Sequence, residues 1–197
     1  MHRIVMRVVL LLAFVGAGLA SAQAQEWRLN GKESHFYMET AKADSIVEVA
    51  EFSGLEGAIS KDGDASVKID LQSVASGIDV RDTRMRFLLF ETFKFPAAEI
   101  TAKLDMAKLD ALRTATRIAY PLKFTLALHG ISKDIEAPVF VTRLNDKSVS
   151  VTPIKPIIVT AAAFGMTEGI AKLSSAVNNT PIVSGASITF DLIFETP

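Results

Sequence analysis

The stretch PLKFTLALHG, residues 121–130, decides the fold. Its apolar residues Leu122, Phe124, Leu126 and Leu128 alternate strictly with Lys123, Thr125, Ala127 and His129. Successive side chains of a β-strand point to opposite faces, so this pattern predicts a strand with one dry and one wet face. The same period governs SVKIDLQS, where Val67, Ile69 and Leu71 oppose Lys68, Asp70 and Gln72. It also governs SITFDLIFE, where Ile188, Phe190, Leu192 and Phe194 oppose Thr189, Asp191 and Glu195. Rougher runs of the same kind are SHFYMET, SIVEVAEF, LEGAIS, AAEITAKL, EAPVFVTRL and VSVTPIKPIIVT.

Turn signals separate these runs at Asn30-Gly31, residues 61–64, residues 130–134, Asn145-Asp146 and Asn178-Asn179. Many short strands at regular spacing predict an all-β fold, an antiparallel barrel or sandwich, in one domain. Two inserts break the period. In GIDVRDTRMRFLLFETFKFPAAEI (77–100), Asp79 and Asp82 suit a helix start, Met85, Leu88 and Leu89 share a helical face, and Pro96 ends the insert. In FGMTEGIAKLSS (164–175), Ile170 and Leu173 suit one side of a short helix. Inserts of this length cap the open end of a barrel or cover a strand edge.

The N-terminus reads as a secretory signal peptide over residues 1–24. MHRIVMR is basic, VVLLLAFVGAGLA is a short apolar run, and Ala20-Ser21-Ala22 and Ala22-Gln23-Ala24 are small-x-small cleavage sites. An uncleaved anchor is the competing reading, but the run is short and rich in Gly and Ala. Cleavage leaves residues 25–197, about 173 of the 197 residues, and shifts the net charge from −1 to −3 as Arg3 and Arg7 depart. A mildly acidic chain with no basic tract does not suit nucleic acid. With no cysteine the protein has no disulfides and no site for lipid acylation, so packing alone must hold it together. The expected location is the periplasm, without stable membrane insertion; monomer and homodimer are both open.

Candidate chemistry is sparse. The mature chain has two histidines, His35 and His129, far apart in sequence, and neither G-x-S-x-G nor H-E-x-x-H. DGDAS (62–66) lacks the glycine and glutamate of a calcium loop and reads as a hairpin turn. No cofactor or metal is expected. The twelve phenylalanines, against one Trp and two Tyr, are more telling, because Phe adds apolar area without a polar handle. They suit either a packed core or a lumen that receives an apolar molecule, and an eight-stranded barrel is about the size at which both outcomes occur. The insert then stands at the barrel rim. Phe87, Phe90, Phe93 and Phe95 are expected to turn toward the interior or the strand ends. Arg81, Asp82, Arg84 and Arg86 are expected at the rim, either fixing the insert or forming a charged collar for a polar head group.

The sequence resembles the YceI-like family of exported, lipocalin-like polyisoprenoid-binding proteins. FSGLEGAISKDG (52–63) is similar to the family's Phe-x-Gly…Gly-x-Ile hairpin. SVASGIDVRDTRMR (73–86) is similar to its Arg-Asp-x-x-Leu-Arg signature, and FETFKFPAAEITA (90–102) to the segment that follows. LKFTLALHGISKDIEAPV (122–139) resembles its His-Gly strand pair, and AAFGM with ASITFDLIFE its closing motif and last strand. Departures are Ser76 beside Gly77 for Thr, Leu89-Phe90 near a usual Phe pair, Phe95 for Tyr before Pro96, and Ala161 to Ala163 where Arg and Asp are common.

The resemblance implies an antiparallel eight-stranded lipocalin-like barrel with one or two short capping helices. It further implies a non-catalytic binding or carrier protein for a long-chain isoprenoid or other lipid. On this reading the ligand-binding candidates are Phe36, Phe87, Phe90, Phe93, Phe124, Leu126, Phe164, Met166 and Phe190. Two other classes compete. One is a small-molecule enzyme built in a periplasmic barrel. The other is an outer-membrane barrel, which lacks support because the chain is poor in the Trp and Tyr of aromatic girdles.

Overall fold

The computed structural model describes residues 26–196. The signal-peptide expectation falls on residues 1–24 and lies outside the described residues. The chain forms β1 (Trp27–Leu29), β2 (His35–Lys42), β3 (Ile46–Phe52), β4 (Leu55–Ile59), β5 (Asp64–Asp70) and β6 (Val74–Ala75). The first insert follows as α1 (Asp79–Arg84) and a π-helical turn, Met85–Leu89. Next come β7 (Ala97–Lys103), α2 (Met106–Asp110), β8 (Thr116–Leu128), β9 (Ile131–Asn145), β10 (Ser148–Pro153) and β11 (Ile157–Thr160). A 3-10 turn, Ala161–Phe164, leads to α3 (Thr167–Ala176) and β12 (Gly185–Glu195).

Eight strands close a ring in the order β1–β4–β5–β7–β8–β9–β10–β12, with β12 returning to β1 through Arg28↔Glu195 and Leu29↔Phe194. All these ladders are antiparallel. The expected antiparallel eight-stranded barrel is therefore present. The inward rows are those the alternation predicted: Val67, Ile69, Phe124, Leu126, Leu128, Leu192 and Phe194 are buried in one core. Thr125 faces outward and donates a 2.7 Å hydrogen bond to Asp134 across the ladder.

One turn differs from expectation. Residues 130–134 read as a turn, but β9 begins at Ile131, which pairs with Leu128. His129 and Gly130 alone make the connection, with φ of 52° and 76°. Positive φ at both central residues belongs to the tight turn whose twist matches the strands it joins, so the polar run Ser132 to Asp134 stays in the ladder.

The end of the barrel that carries this turn is built differently from the closed ring. There β12 continues past the closed ring and pairs β11 on one side and β2 on the other; β2 pairs β3, and β3 pairs β6. Together with the mouth ends of β5, β7, β8 and β9, that arc of strands is completed by the inserts. α1 lies against β6, the π-helical turn against α1 and α3, and α3 against the 3-10 turn that follows β11. α3 crosses so closely that a Cβ on Gly169 would stand 2.8 Å from the Leu88 carbonyl oxygen, which requires glycine there. The end formed by strands and inserts is the mouth, and the end closed by the full ring is the floor. The short helix α2, capped by Asp105 accepting from the Lys108 N–H, covers the floor and was not expected from the sequence. Among the described residues no helix is long and apolar enough to cross a membrane.

Candidate functional site

The barrel holds an apolar chamber of ≈ 290 Å³ at its mouth end. Native interiors rarely leave voids larger than a water molecule, so a chamber of this size is a feature and not a packing fault. The inward rows of β2, β8 and β12 supply Phe36, Met38, Phe124, Leu126 and Phe190 to its wall. The inserts supply Met85, Leu89, Phe90, Met166, Ile170 and Leu173. Aromatic packing ties wall to lid: Phe36 stacks on Phe190 at 5.9 Å and meets Phe52 edge-on at 6.0 Å, and Phe52 meets Phe90 edge-on at 5.9 Å.

Of the nine ligand-binding candidates, Phe36, Phe90, Phe124, Leu126, Met166 and Phe190 come together on this wall. Phe87 and Phe93 do not, contrary to the expectation that they turn inward. Phe87 is 57 % exposed and Phe93 63 % exposed. The reason for Phe87 is the π-helical turn. Its wider bond, from the Phe90 N–H to the Met85 carbonyl at 2.9 Å, turns Met85, Leu89 and Phe90 inward and leaves Phe87 outside. Phe93 lies in the following turn with the Lys94 ammonium 5.3 Å over its ring. Phe164 is buried under the 3-10 turn but does not border the chamber.

Charge is confined to the rim. Lys42, Glu48, Arg81 and Arg84 are the charged residues that border the chamber. Lys42 continues the inward row Phe36, Met38, Thr40, and Glu48 the inward row of β3. The Glu48 carboxylate pairs with Lys42 at 2.5 Å and with Arg81. Three cations thus face one carboxylate.

Ser76 locks the insert in place. Its N–H donates to Asp82 at 2.9 Å and its hydroxyl donates to the same carboxylate. Arg81 donates from Nε to the Ser76 hydroxyl oxygen and from Nη2 to the Ser76 carbonyl, each at 2.7 Å. Arg86 Nε donates to the Asp82 carbonyl at 3.2 Å. Asp79 is not the cap expected of it. Ile78 occupies that position without a side-chain bond, and Asp82 instead reaches back beyond the helix start. Asp82 is 6 % exposed, so its polar demand is met inside the protein.

The far side of the lid has a second fastening. His129 Nε2 lies 3.0 Å from Glu91 Oε2, and Phe95 packs on the His129 ring at 4.3 Å. Both partners hold left-handed backbone, with φ of 46° at Glu91 and 52° at His129, which non-glycine residues adopt only when surroundings enforce it. Burial pushes the Glu91 carboxyl up. The hydrogen bond with His129 and the charge and hydrogen bond of Lys94 outweigh it and hold the carboxyl below the ordinary range. Neither histidine belongs to a metal-binding set: among the described residues no three His, Cys, Asp or Glu side chains converge. The sequence reading missed Lys42 and Glu48, although the parity of β2 and β3 carries the signal for both.

This is the architecture of an antiparallel barrel with an apolar, partly lidded interior. The profile of the YceI-like domain matches residues 27–192, and the chain belongs to that family. A polyisoprenoid-binding domain from Saccharophagus degradans, implicated in plant cell wall breakdown, superposes with a TM-score of 0.85 at 32 % identity, over 87 % of this chain and 98 % of that one. Burkholderia cenocepacia BcnA shares the fold with a TM-score of 0.65 at 16 % identity, over 84 % of this chain and 98 % of that one. A comparison with curated proteins returned no match.

Proposed function

We propose that the protein is a non-catalytic carrier, exported to the periplasm by a cleaved signal peptide, that holds a long-chain amphiphile of the polyisoprenoid class. The observation that carries this reading is the ≈ 290 Å³ chamber, apolar along its wall and charged only at its rim. Such a chamber suits a tail, and three cations against one carboxylate at the mouth suit an anionic head group. The polyisoprenoid-binding relative supports the ligand class. The enzyme alternative has less support. Among the described residues the one carboxylate on the chamber wall, Glu48, is already engaged by two cations, and no histidine borders the chamber.

Organic extraction of the exported protein, followed by mass spectrometry, tests the ligand. A long-chain amphiphile is expected in the extract. Lipid-free protein that also fails to take up an added polyprenyl phosphate overturns the carrier reading. The same protein's intact mass tests export, with cleavage expected after Ala22 or Ala24; an N-terminus at Met1 overturns it.

A further inference from the structure

The barrel contains a second chamber, ≈ 110 Å³, that the function proposed above does not use. It lies on the floor side, walled by Trp27, Leu104, Val139, Val149, Leu192 and Phe194. Arg143 and Tyr120 border its outer end. Arg143 sits 5.0 Å over the Trp27 ring, and the Tyr120 hydroxyl accepts from the Asp105 N–H at the start of α2. Three residues, Ile100, Phe124 and Phe190, border both chambers and form the layer between them. Phe124 stands opposite Ala102 on β7 and Ile135 on β9, and Phe190 is backed by Phe36. In a barrel the backbone runs around the bore and not across it. The layer is therefore side chains alone, and changes of rotamer can open it.

We infer that the floor chamber is a tail-end subsite for hydrocarbon, and that the layer of Ile100, Phe124 and Phe190 is a length stop. A tail that fits the mouth chamber binds with the layer closed, and a longer one must displace the two rings. The chamber's wall beside the layer is apolar, so a saturated or isoprenoid terminus is the group it accepts. The inference rests on reading the mouth chamber as a lipid site. It adds that Phe124 and Phe190 select among lipids by tail length.

The test is to titrate the delipidated protein with straight-chain fatty acids, lengthened two carbons at a time from octanoate to stearate. Each methylene buried from water strengthens binding roughly fourfold. For the parent, affinity climbs at that rate and then levels when the mouth chamber is full. Phe124→Ala joins the chambers and moves the levelling point to longer acids. Ala65→Leu, on the floor wall, added to that variant, moves the point back without changing the shortest acids. If Phe124→Ala does not fold, shown by loss of its melting transition, Phe124→Leu shifts the levelling point in the same direction by less. An unbroken climb in the parent, or one levelling point shared by parent and folded variants, overturns the length stop and leaves the carrier reading standing. Failure of every acid to bind the parent overturns both.

Discussion

The floor and the mouth of this barrel close the same circle by different means. At the floor eight strands are joined edge to edge by antiparallel ladders, and β12 meets β1 to finish the ring. At the mouth the strands β11, β12, β2, β3 and β6 join the ends of β5, β7, β8 and β9 around the chamber, and α1, the π-helical turn and α3 complete its wall. Parting two strands at the floor breaks a whole row of backbone hydrogen bonds. An insert at the mouth is held instead by side chains: the bonds of Ser76 with Arg81 and Asp82, the pairs Arg81–Glu48 and His129–Glu91, and the packing of Met85, Leu89 and Phe90. On the carrier reading, access through the mouth leaves the ladders of the ring intact.

Truncation at the two ends should separate them most clearly. Phe194 is 4 % exposed in the floor ring, and Phe194→Ala should cost about 3–5 kcal/mol, or roughly ten degrees of melting temperature. Phe124 faces open space on both sides of its layer, so Phe124→Ala should cost the delipidated protein noticeably less, and the lipid-loaded protein more than the delipidated one. Thermal melts of both forms measure this, and equal penalties for the two phenylalanines would make Phe124 ordinary core. Next in size is the clamp. Asp82→Ala strips the half-buried Ser76 N–H and hydroxyl of their acceptor, a loss of about 1 kcal/mol. Arg81→Ala should act more on ligand release than on melting. Parent-like release rates in both variants would show that the clamp does not govern access.

The His129–Glu91 fastening makes a smaller, pH-dependent difference. The Glu91 carboxyl is held below its ordinary value of 4.5, so its contribution is present above that pH and is lost as pH falls through the lowered value. Ligand release should quicken in that acid range, and Glu91→Gln should flatten the dependence; release followed by stopped flow against pH checks both. The smallest effect belongs to Thr125→Ala on the outer face, within about 0.5 kcal/mol. A penalty matching that of Phe124→Ala would mean that β8 is read one residue out of register.

The difference between the two ends also governs what the sequence revealed. Alternation in PLKFTLALHG and SITFDLIFE is a local property, and it located the inward rows correctly. The insert obeys no single period. A helix passing into a π-helical turn rotates the faces, so Met85 and Leu89 were legible as inward residues while Phe87 was not. The chambers themselves were beyond reach, because parity says which way Phe124 and Phe190 point and not how far apart the opposite walls stand. The fastenings join residues distant in sequence, Glu48 with Arg81 and Glu91 with His129, and nothing local marks such pairs.

The pairing of Leu29 with Phe194 has a consequence in time. The ribosome delivers β1 first and β12 last, so the ring cannot close until the final strand has emerged. The β8–β9 hairpin, whose two strands are joined by two residues, is free to form well before then. Until synthesis reaches residue 195, the first strand has no partner at its outer edge, and the growing chain is an open sheet. Closure of the complete barrel therefore waits for residues 194 and 195.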